Sequence, residues 1–294
     1  MRAAAVQPDS DTDEIEASTQ ETADMTLRIW GARGSTPAPG PDRDRYGGET
    51  TSMEVEIGGR SVLIDCGSGA RALGRRLAAE GVTEVDILFS HFHLDHICGL
   101  PFFAPAYNPN ASLRLWVGHL DAGEDPKDVL CRMMSPPIFP VAFDQLAACE
   151  CKVFRPPETL TLGNGITVDT LPLNHPNGAV GFRFRSGGKT LVTVTDHEHG
   201  NPEIDAAVEA FVRDADVMIY DGMFDDAEYE AFVGWGHSTW QEGLALARRT
   251  GVKIPVIFHH NPDRTDEELD DYARRASELF PGAVFARQGL DITL

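Results

Sequence analysis

The sequence predicts an α/β protein. Apolar runs of strand length alternate with helical patterns along most of the chain, and each half supplies both kinds of element. The chain has 294 residues, of which 42% are hydrophobic and 24% charged, a composition that can bury a large core. Together these observations favour a sandwich built on two sheets.

The first half predicts four strands and one helix. We expect strands at residues 26–30, 52–57, 61–65 and 85–89. Gly58-Gly59 should join the second and third of these into a hairpin. Residues 67–69 open a helix with Ala70, Leu73 and Leu77 at helical spacing, and Gly81 ends it.

The second half repeats this style, with strands expected at 181–185, 190–195, 217–220 and 255–258, and helices at 203–214, 239–250 and 267–279. The least regular stretch is 101–157, which holds many of the prolines. Within it, residues 136–140 (Pro-Pro-Ile-Phe-Pro) predict a stiff extended loop. This loop is either a substrate-facing lid or a surface excursion packed on Phe139 and Phe143.

Charge and composition divide the chain into a tail and one domain. Residues 1–24 are acidic and poor in large apolar side chains, which predicts a flexible tail, and the folded domain should span 25–294. The formal net charge is −21. Since such a field repels polyanions, we expect a small-molecule substrate and no long nucleic acid as partner.

The cysteines and the apolar runs indicate a cytoplasmic protein. The five cysteines form no CxxC pair and are expected to be reduced thiols; they are Cys66, Cys98, Cys131, Cys149 and Cys151. The first residues lack the apolar core of a signal peptide. No apolar run approaches the roughly 20 residues of a membrane helix, so no membrane association is expected.

The strongest chemical signal is the segment His91-Phe92-His93-Leu94-Asp95-His96, which follows the apolar strand at 85–89. Four side chains that bind metals lie within six residues, on a loop that leaves a strand end. Such a loop can converge on ions that accept imidazole nitrogen and carboxylate oxygen. The alternative, a polar surface loop, does not account for HxHxDH after a buried strand.

Three further candidate ligands close later strands: His175, Asp196 and His259. Consecutive residues of a strand end point in opposite directions, so only one of His259 and His260 should bind metal, and we favour His259. His197 and His199 are expected behind the site or at the surface. His119 is interpreted as an ordinary polar residue.

The order HxHxDH, His, Asp, His resembles the metallo-β-lactamase superfamily over about residues 25–294. The resemblance implies a four-layer αββα sandwich with mixed sheets and a hydroxide between two divalent ions as the nucleophile. Zinc suits the ligands best, with manganese or iron as alternatives. The implied ligands are His91, His93 and His175 for one ion, Asp95, His96 and His259 for the other, and Asp196 as the bridge.

A second resemblance concerns the branch of the superfamily. Residues 216–224 (Asp-Val-Met-Ile-Tyr-Asp-Gly-Met-Phe) and 236–239 (Gly-His-Ser-Thr) are similar to ribonuclease Z and related small phosphodiesterases. By this resemblance His237 is the proton donor and Asp221 its acidic partner, and with Asp95 they form the predicted catalytic set. Alternatively, residues 236–239 are only a capped helix start that carries a surface histidine.

These features predict a dinuclear metal-dependent hydrolase that acts on a small phosphodiester such as a cyclic nucleotide. The tRNA-processing relatives carry an inserted arm, and no arm fits between His175 and Asp196. Two alternatives are a lactone or amide hydrolase with the same centre and a non-catalytic metal-bound sensor or assembly protein. Dimers are common among the relatives, and the sequence leaves the oligomeric state open.

Two side-chain interpretations also stay open at this point. Trp235 is either a packing residue or an aromatic that acts as a lid or stacks on a base. Arg183 and Arg185 alternate along a strand, which is typical of a solvated face and is compatible with contacts to an anion.

Overall fold

The computed structural model describes residues 24–146 and 149–294. The predicted tail lies outside the described residues, except for Asp24. The strands are β1 Met25–Gly31, β2 Ser52–Ile57, β3 Arg60–Ile64, β4 Glu84–Phe89, β5 Ser112–Val117, β6 Cys149–Val153, β7 Thr159–Thr161, β8 Thr167–Leu173, β9 Ala179–Ser186, β10 Lys189–Val194, β11 Val217–Asp221, β12 Ile254–Phe258, β13 Val284–Phe285 and β14 Asp291–Thr293. The α-helices are α1 Ala70–Ala79, α2 Leu94–Ile97, α3 Pro126–Met133, α4 Pro202–Val212, α5 Asp226–Tyr229, α6 Trp240–Thr250 and α7 Asp266–Leu279.

The strands form two mixed seven-stranded sheets. The first has the order β14-β1-β2-β3-β4-β5-β6 and the second the order β13-β12-β11-β10-β9-β8-β7. In the first sheet β3, β4, β5 and β6 run parallel, whereas β14, β1, β2 and β3 are antiparallel neighbours. In the second, β10 to β13 are parallel and β7 to β10 antiparallel. Each sheet therefore has a parallel portion whose strands share one carboxyl edge.

The apolar core lies in the three interfaces between the four layers of the fold. Side chains of both β-sheets meet in the middle, among them Val55, Leu88, Phe182 and Val256, all fully buried. Helices α1 and α3 pack on the outer face of the first sheet, while α4, α6 and α7 cover the outer face of the second. The predicted αββα sandwich is confirmed.

The segment 101–157 is more regular than the sequence indicated, because it contains β5, α3 and β6. Strands β7, β8, β13 and β14 were also not predicted. Three of these are two or three residues long, and β8 contains Pro172, which masks its alternation. Residues 136–138 form a turn in place of an extended run. Phe143 is buried and Phe139 packs edge-on against Phe102, as in the surface-excursion interpretation.

Two predictions from composition can be compared with the fold. None of the five cysteines, all of which lie in the described ranges, forms a disulfide, as expected. None of the helices in the described ranges has both the length and the apolar character needed to cross a bilayer.

The parallel strands bring the polar strand ends together. Strand β4 leads into the loop of His91, β10 into Asp196 and β12 into His259. Asp196 and His259 have φ of 58° and 59°, a left-handed conformation that is uncommon for side chains other than glycine. Such strained backbone is concentrated at functional sites. Here it lies at the edge where the two sheets meet.

A buried ionic cluster ties β3, β4 and β5 to the second sheet. The Asp86 carboxylate accepts hydrogen bonds from Arg60 Nη2 (2.9 Å), Arg114 Nε (2.6 Å), Trp116 Nε1 (2.9 Å) and the backbone N–H of Gly163 (3.4 Å). Burial acts to raise the pKa of Asp86, but the hydrogen bonds from Arg114, Trp116 and Arg60 lower this pKa to about 2. The carboxylate therefore stabilises the fold at neutral pH.

We predict that Asp86→Ala lowers the free energy of unfolding by about 2–4 kcal/mol, because it leaves two partly buried guanidinium groups without their shared partner. Urea denaturation at pH 7 measures this change. Glu84→Ala is the matched control, since Glu84 contacts the same two arginines with a 59% exposed side chain and should cost less than about 1 kcal/mol. Equal losses in the two variants would contradict the role of the buried cluster.

Candidate metal centre

The seven predicted ligands converge on one small volume. The ligand atoms of His91, His93 and His175 lie within 4.8 Å of one another, and those of Asp95, His96 and His259 form a second such group. These are the same two triads that the resemblance implied. The loop after β4 supplies His91 and His93, and helix α2 supplies Asp95 and His96. His175 and His259 follow the ends of β8 and β12.

Asp196 lies between the two triads. Its Oδ1 is 3.8 Å from His91 Nε2, 3.8 Å from His175 Nε2 and 3.3 Å from His259 Nε2. Its Oδ2 is 3.4 Å from His96 Nε2. One carboxylate thus reaches both groups, as a bridging ligand would.

The spacing of the donor atoms fits shared cations. Two ligands about 2.1 Å from one tetrahedral ion lie about 3.4 Å apart. The observed separations are 3.0 Å between His93 Nδ1 and His175 Nε2, 3.2 Å between His259 Nε2 and Asp95 Oδ2, and 3.3 Å between His96 Nε2 and Asp95 Oδ2. In addition, the buried Nε2 atoms of His91 and His96 have no hydrogen-bond partner among the described residues. The donor set and its geometry fit two divalent ions.

The pKa values of the buried groups also indicate that this centre is stabilised by positive charge. Burial acts to raise the pKa of Asp196, but the charges of His259, His96 and His91 hold this pKa well below its usual range. Burial acts to lower the pKa of His259, yet Asp196 and Asp95 raise it to about 9. For His91, burial and the neighbouring His96 lower the pKa well below its usual range. Without ions, protons on imidazoles must compensate the buried carboxylates, and divalent ions can replace those protons.

Groups behind the ligands fix their orientation. Asp65 Oδ2 accepts a hydrogen bond from His96 Nδ1 (2.8 Å), and Asp65 is itself held by Ser90. The backbone N–H of Ser35 donates to Asp95 Oδ2 (2.7 Å). Such partners set which ring nitrogen faces the ion. Sequence reasoning did not assign Asp65 or Ser35 a role; the acidic residue that closes β3 at the same sheet edge was the signal for Asp65.

His237 and Asp221 lie beside the centre as a pair. His237 Nδ1 donates to Asp221 Oδ2 at 2.8 Å, and both residues are buried. The His237 ring stacks on His259 with a centroid distance of 4.9 Å and meets His175 at 5.2 Å. Thr239 caps helix α6 by accepting from the N–H of Glu242. The helix cap is therefore present, but His237 faces the metal centre and is not a surface residue.

The other histidines lie outside the two triads. His197 accepts the N–H of Asn174, and His199 stacks on Tyr229 with its Nδ1 3.1 Å from Ser238 Oγ. His260 points away from the centre and donates to Ala286 O at 2.7 Å.

Two further predicted side chains can be placed. Arg183 and Arg185 both bind Asp169 on the sheet surface, which accounts for their alternation. His119 lines a cleft of about 560 Å³ next to His91 and His93. The sequence predicted an ordinary polar role for His119 and did not indicate that this side chain lines a cleft.

The known proteins that are similar to this chain include ribonuclease Z of two organisms. Ribonuclease Z of Methanopyrus kandleri is 26% identical over 305 aligned residues, covering 91% of this chain and 97% of that protein. Ribonuclease Z of Bradyrhizobium diazoefficiens is 25% identical, covering 80% and 90%. These relatives agree with the prediction of a metal-dependent hydrolase.

Solved structures share the fold. YhfI of Bacillus subtilis, a metallo-β-lactamase fold protein, superposes with a TM-score of 0.71 at 21% identity and covers 93% of this chain and all of that chain. Human tRNase Z, short form, has a TM-score of 0.62 at 18% identity and covers 91% and 98%.

The comparisons overturn one prediction, that long nucleic acids are not partners. Relatives that match most of the chain are named ribonuclease Z, so the net charge of this chain does not rule out RNA as a partner. The net charge sums the whole chain, and seven of its acidic residues lie in the first 24 positions. What a polyanion meets is the local field, which bound divalent cations can reverse.

Metal removal should destabilise the protein. We predict that the metal-loaded form melts about 10 °C above the chelated form, because ions bound only by the folded state stabilise it. Differential scanning fluorimetry before and after chelation measures the shift. Asp196→Ala should lose most of this difference, whereas His199→Ala, which removes a nearby histidine outside the triads, should keep it. A shift that is the same in both variants would contradict the assignment of the centre.

A model of the beta-lactamase superfamily domain matches residues 60–260, about two thirds of the chain. The match covers the HxHxDH loop, His175, Asp196 and His259. The resemblance read from the sequence is therefore confirmed, and the chain belongs to the beta-lactamase superfamily.

Proposed function

We propose that this protein is a dinuclear metal-dependent phosphodiesterase in which His237 is the general acid. The observation that carries the proposal is the His237–Asp221 pair, 2.8 Å apart and stacked against the ligand His259. A hydrolase that releases an alkoxide needs a proton donor beside the reacting centre. A lactone or amide hydrolase with the same centre does not need this pair.

The proposed ligands are the six side chains of the two triads together with Asp196. Zinc is the proposed metal. Five imidazoles and two carboxylates suit zinc, with manganese and iron as the alternatives. A neighbouring structure, PqqB of Methylobacterium extorquens, is described as Zn²⁺-bound and superposes with a TM-score of 0.69. Held by these side chains, two such ions would supply an activated water and would neutralise the charge of phosphoryl oxygens.

The protein's own residues then do the remaining work. Asp221 is fully buried and accepts backbone N–H groups of Asp196 (3.1 Å), Met223 (3.1 Å) and Ser238 (3.3 Å). This fixes its Oδ2 to receive Nδ1–H of His237, which leaves Nε2 as the nitrogen that can deliver a proton to the leaving oxygen. Asp95, whose Oδ2 accepts the backbone N–H of Ser35, is the proposed carboxylate ligand of the second triad.

Two substrate sizes are compatible with this chemistry. The names of the relatives support RNA as a substrate. The direct β9–β10 hairpin between His175 and Asp196, with no inserted arm, favours a small phosphodiester such as a cyclic nucleotide. The cytoplasmic location expected from the thiols stays a prediction.

The substrate class is tested with metal-loaded protein on four compounds: bis(p-nitrophenyl) phosphate, a cyclic nucleotide, a tRNA precursor and an acyl-homoserine lactone. Phosphodiester turnover that is lost in Asp196→Ala supports the proposal. Lactone turnover without phosphodiester turnover contradicts it, and no turnover of any compound would favour the sensor alternative.

We predict that His237→Ala lowers kcat/KM for the cyclic nucleotide by about 10²–10⁴-fold, the usual contribution of a general acid. The loss with bis(p-nitrophenyl) phosphate should be much smaller, because p-nitrophenolate leaves without a proton. Steady-state kinetics on both substrates gives the two ratios. His199→Ala is the matched control and should change neither ratio strongly. Equal losses on both substrates would show that His237 acts only in structure or binding.

A further inference from the structure

The loop before His237 presents an exposed tryptophan next to the proposed proton donor. Trp235 is 62% exposed, whereas residues 236–240 are all buried. Phe232 meets the indole edge-on, with a centroid distance of 5.4 Å and an interplanar angle of 90°. Phe232 in turn stacks on Phe224 at 4.4 Å, and Phe224 lies 6.1 Å from the His237 ring. An aromatic series thus connects the exposed indole to the proton donor.

The backbone of this loop is held in place by a carboxylate. Glu198 accepts the N–H groups of Gly234 (2.8 Å) and Gly236 (2.7 Å). Both glycines have positive φ, of 90° and 88°. Such a conformation favours glycine on each side of Trp235. The hydrogen bonds to Glu198 therefore hold the backbone on both sides of Trp235 in place.

The same loop also contacts a proposed metal ligand. His175 Nδ1 donates to the carbonyl of Gly236 at 2.7 Å, which directs its Nε2 to the ion. A Cβ added at Gly236 would lie 2.3 Å from His175 Nδ1. The position of Trp235 is therefore fixed relative to both His175 and His237. Because His237 follows Trp235 by only two residues, the loop places the exposed indole close to the proposed proton donor.

We propose that Trp235 is a stacking platform for a nucleobase on the leaving-group side of the substrate. The inference rests on the proposed phosphodiesterase function, because it names the alcohol that His237 protonates as a nucleoside. Stacking of a base on an aromatic side chain is tolerant of base identity, since every base has a π face. A base is also uncharged, so the strongly negative net charge does not oppose its binding. The platform accepts a base from either a cyclic nucleotide or an RNA end.

The first test measures binding without turnover. Metal-loaded protein is titrated with AMP and, in parallel, with ribose 5-phosphate, and tryptophan fluorescence is recorded. We expect AMP to quench the fluorescence, ribose 5-phosphate to quench it far less, and the AMP signal to be lost in Trp235→Phe. Val233→Ala is the matched control: Val233 is 62% exposed on the same loop, and this variant should retain the signal. Equal quenching by both compounds, or unchanged AMP quenching in Trp235→Phe, would overturn the platform.

The second test measures its effect on turnover. One substrate is a dinucleoside monophosphate, and the other is the same compound without the base on the leaving-group side. We expect Trp235→Ala to lower the ratio of the two kcat/KM values about tenfold, and Trp235→Phe to restore most of it, because phenylalanine also stacks. A ratio unchanged in Trp235→Ala would overturn the proposal. The ratio of kcat/KM with and without the base is then measured for a cyclic nucleotide and for an RNA end. The substrate whose ratio falls in Trp235→Ala is the source of the base that Trp235 binds.

The two tests separate this inference from the proposed function. AMP quenching that depends on Trp235, in a protein that hydrolyses no phosphodiester, would refute the phosphodiesterase and keep the nucleobase platform. Phosphodiester turnover that requires His237, without any preference for the base, would keep the phosphodiesterase and refute the platform.

Discussion

The Asp196 carboxylate is almost fully buried and has nitrogens of four histidines within 3.8 Å. Such a concentration of buried polar groups is costly unless positive charge compensates it. The surrounding sheets are arranged to make this arrangement possible, since parallel strands of both sheets end at the same edge. The positive φ of Asp196 and His259 is strain that the packed sandwich imposes at that edge.

Residues behind the proposed ligands fix the orientation of these side chains. Asp65 orients His96, Asp221 orients His237, and the carbonyl of Gly236 orients His175. Because Gly236 belongs to the loop that Glu198 holds, the candidate metal centre, the proposed proton donor His237 and Trp235 are parts of one connected structure. This connection links a mostly buried centre to the exposed surface that we propose contacts the substrate.

Much of the fold was readable because long strands and helices carry strong periodic patterns. The HxHxDH loop and the strand-end ligands were visible for the same reason: each follows an apolar run that must be buried. The strands β7, β13 and β14 were missed because two or three residues carry too little pattern. Segment 101–157 was misjudged because its prolines obscured β5, α3 and β6, whose order depends on packing against α1 and the first sheet.

The contacts behind the ligands could not be read from the sequence in the same way. Glu198 lies between two histidines, and nothing in its local pattern shows that it binds the N–H groups of a loop 36 residues later. The exclusion of nucleic acid failed for a related reason, since net charge is a sum over the chain and carries no position. Both the contacts of Glu198 and the binding of a nucleic acid depend on local geometry. This geometry forms only when the two sheets pack together.

The central claim is that seven side chains hold two metal ions. Anomalous diffraction from crystals grown with zinc tests this directly. The account predicts two peaks about 3.5–4 Å apart, each bounded by one of the two triads and both about 2.0–2.2 Å from an oxygen of Asp196. A single peak, or peaks that lie away from these seven side chains, would contradict it.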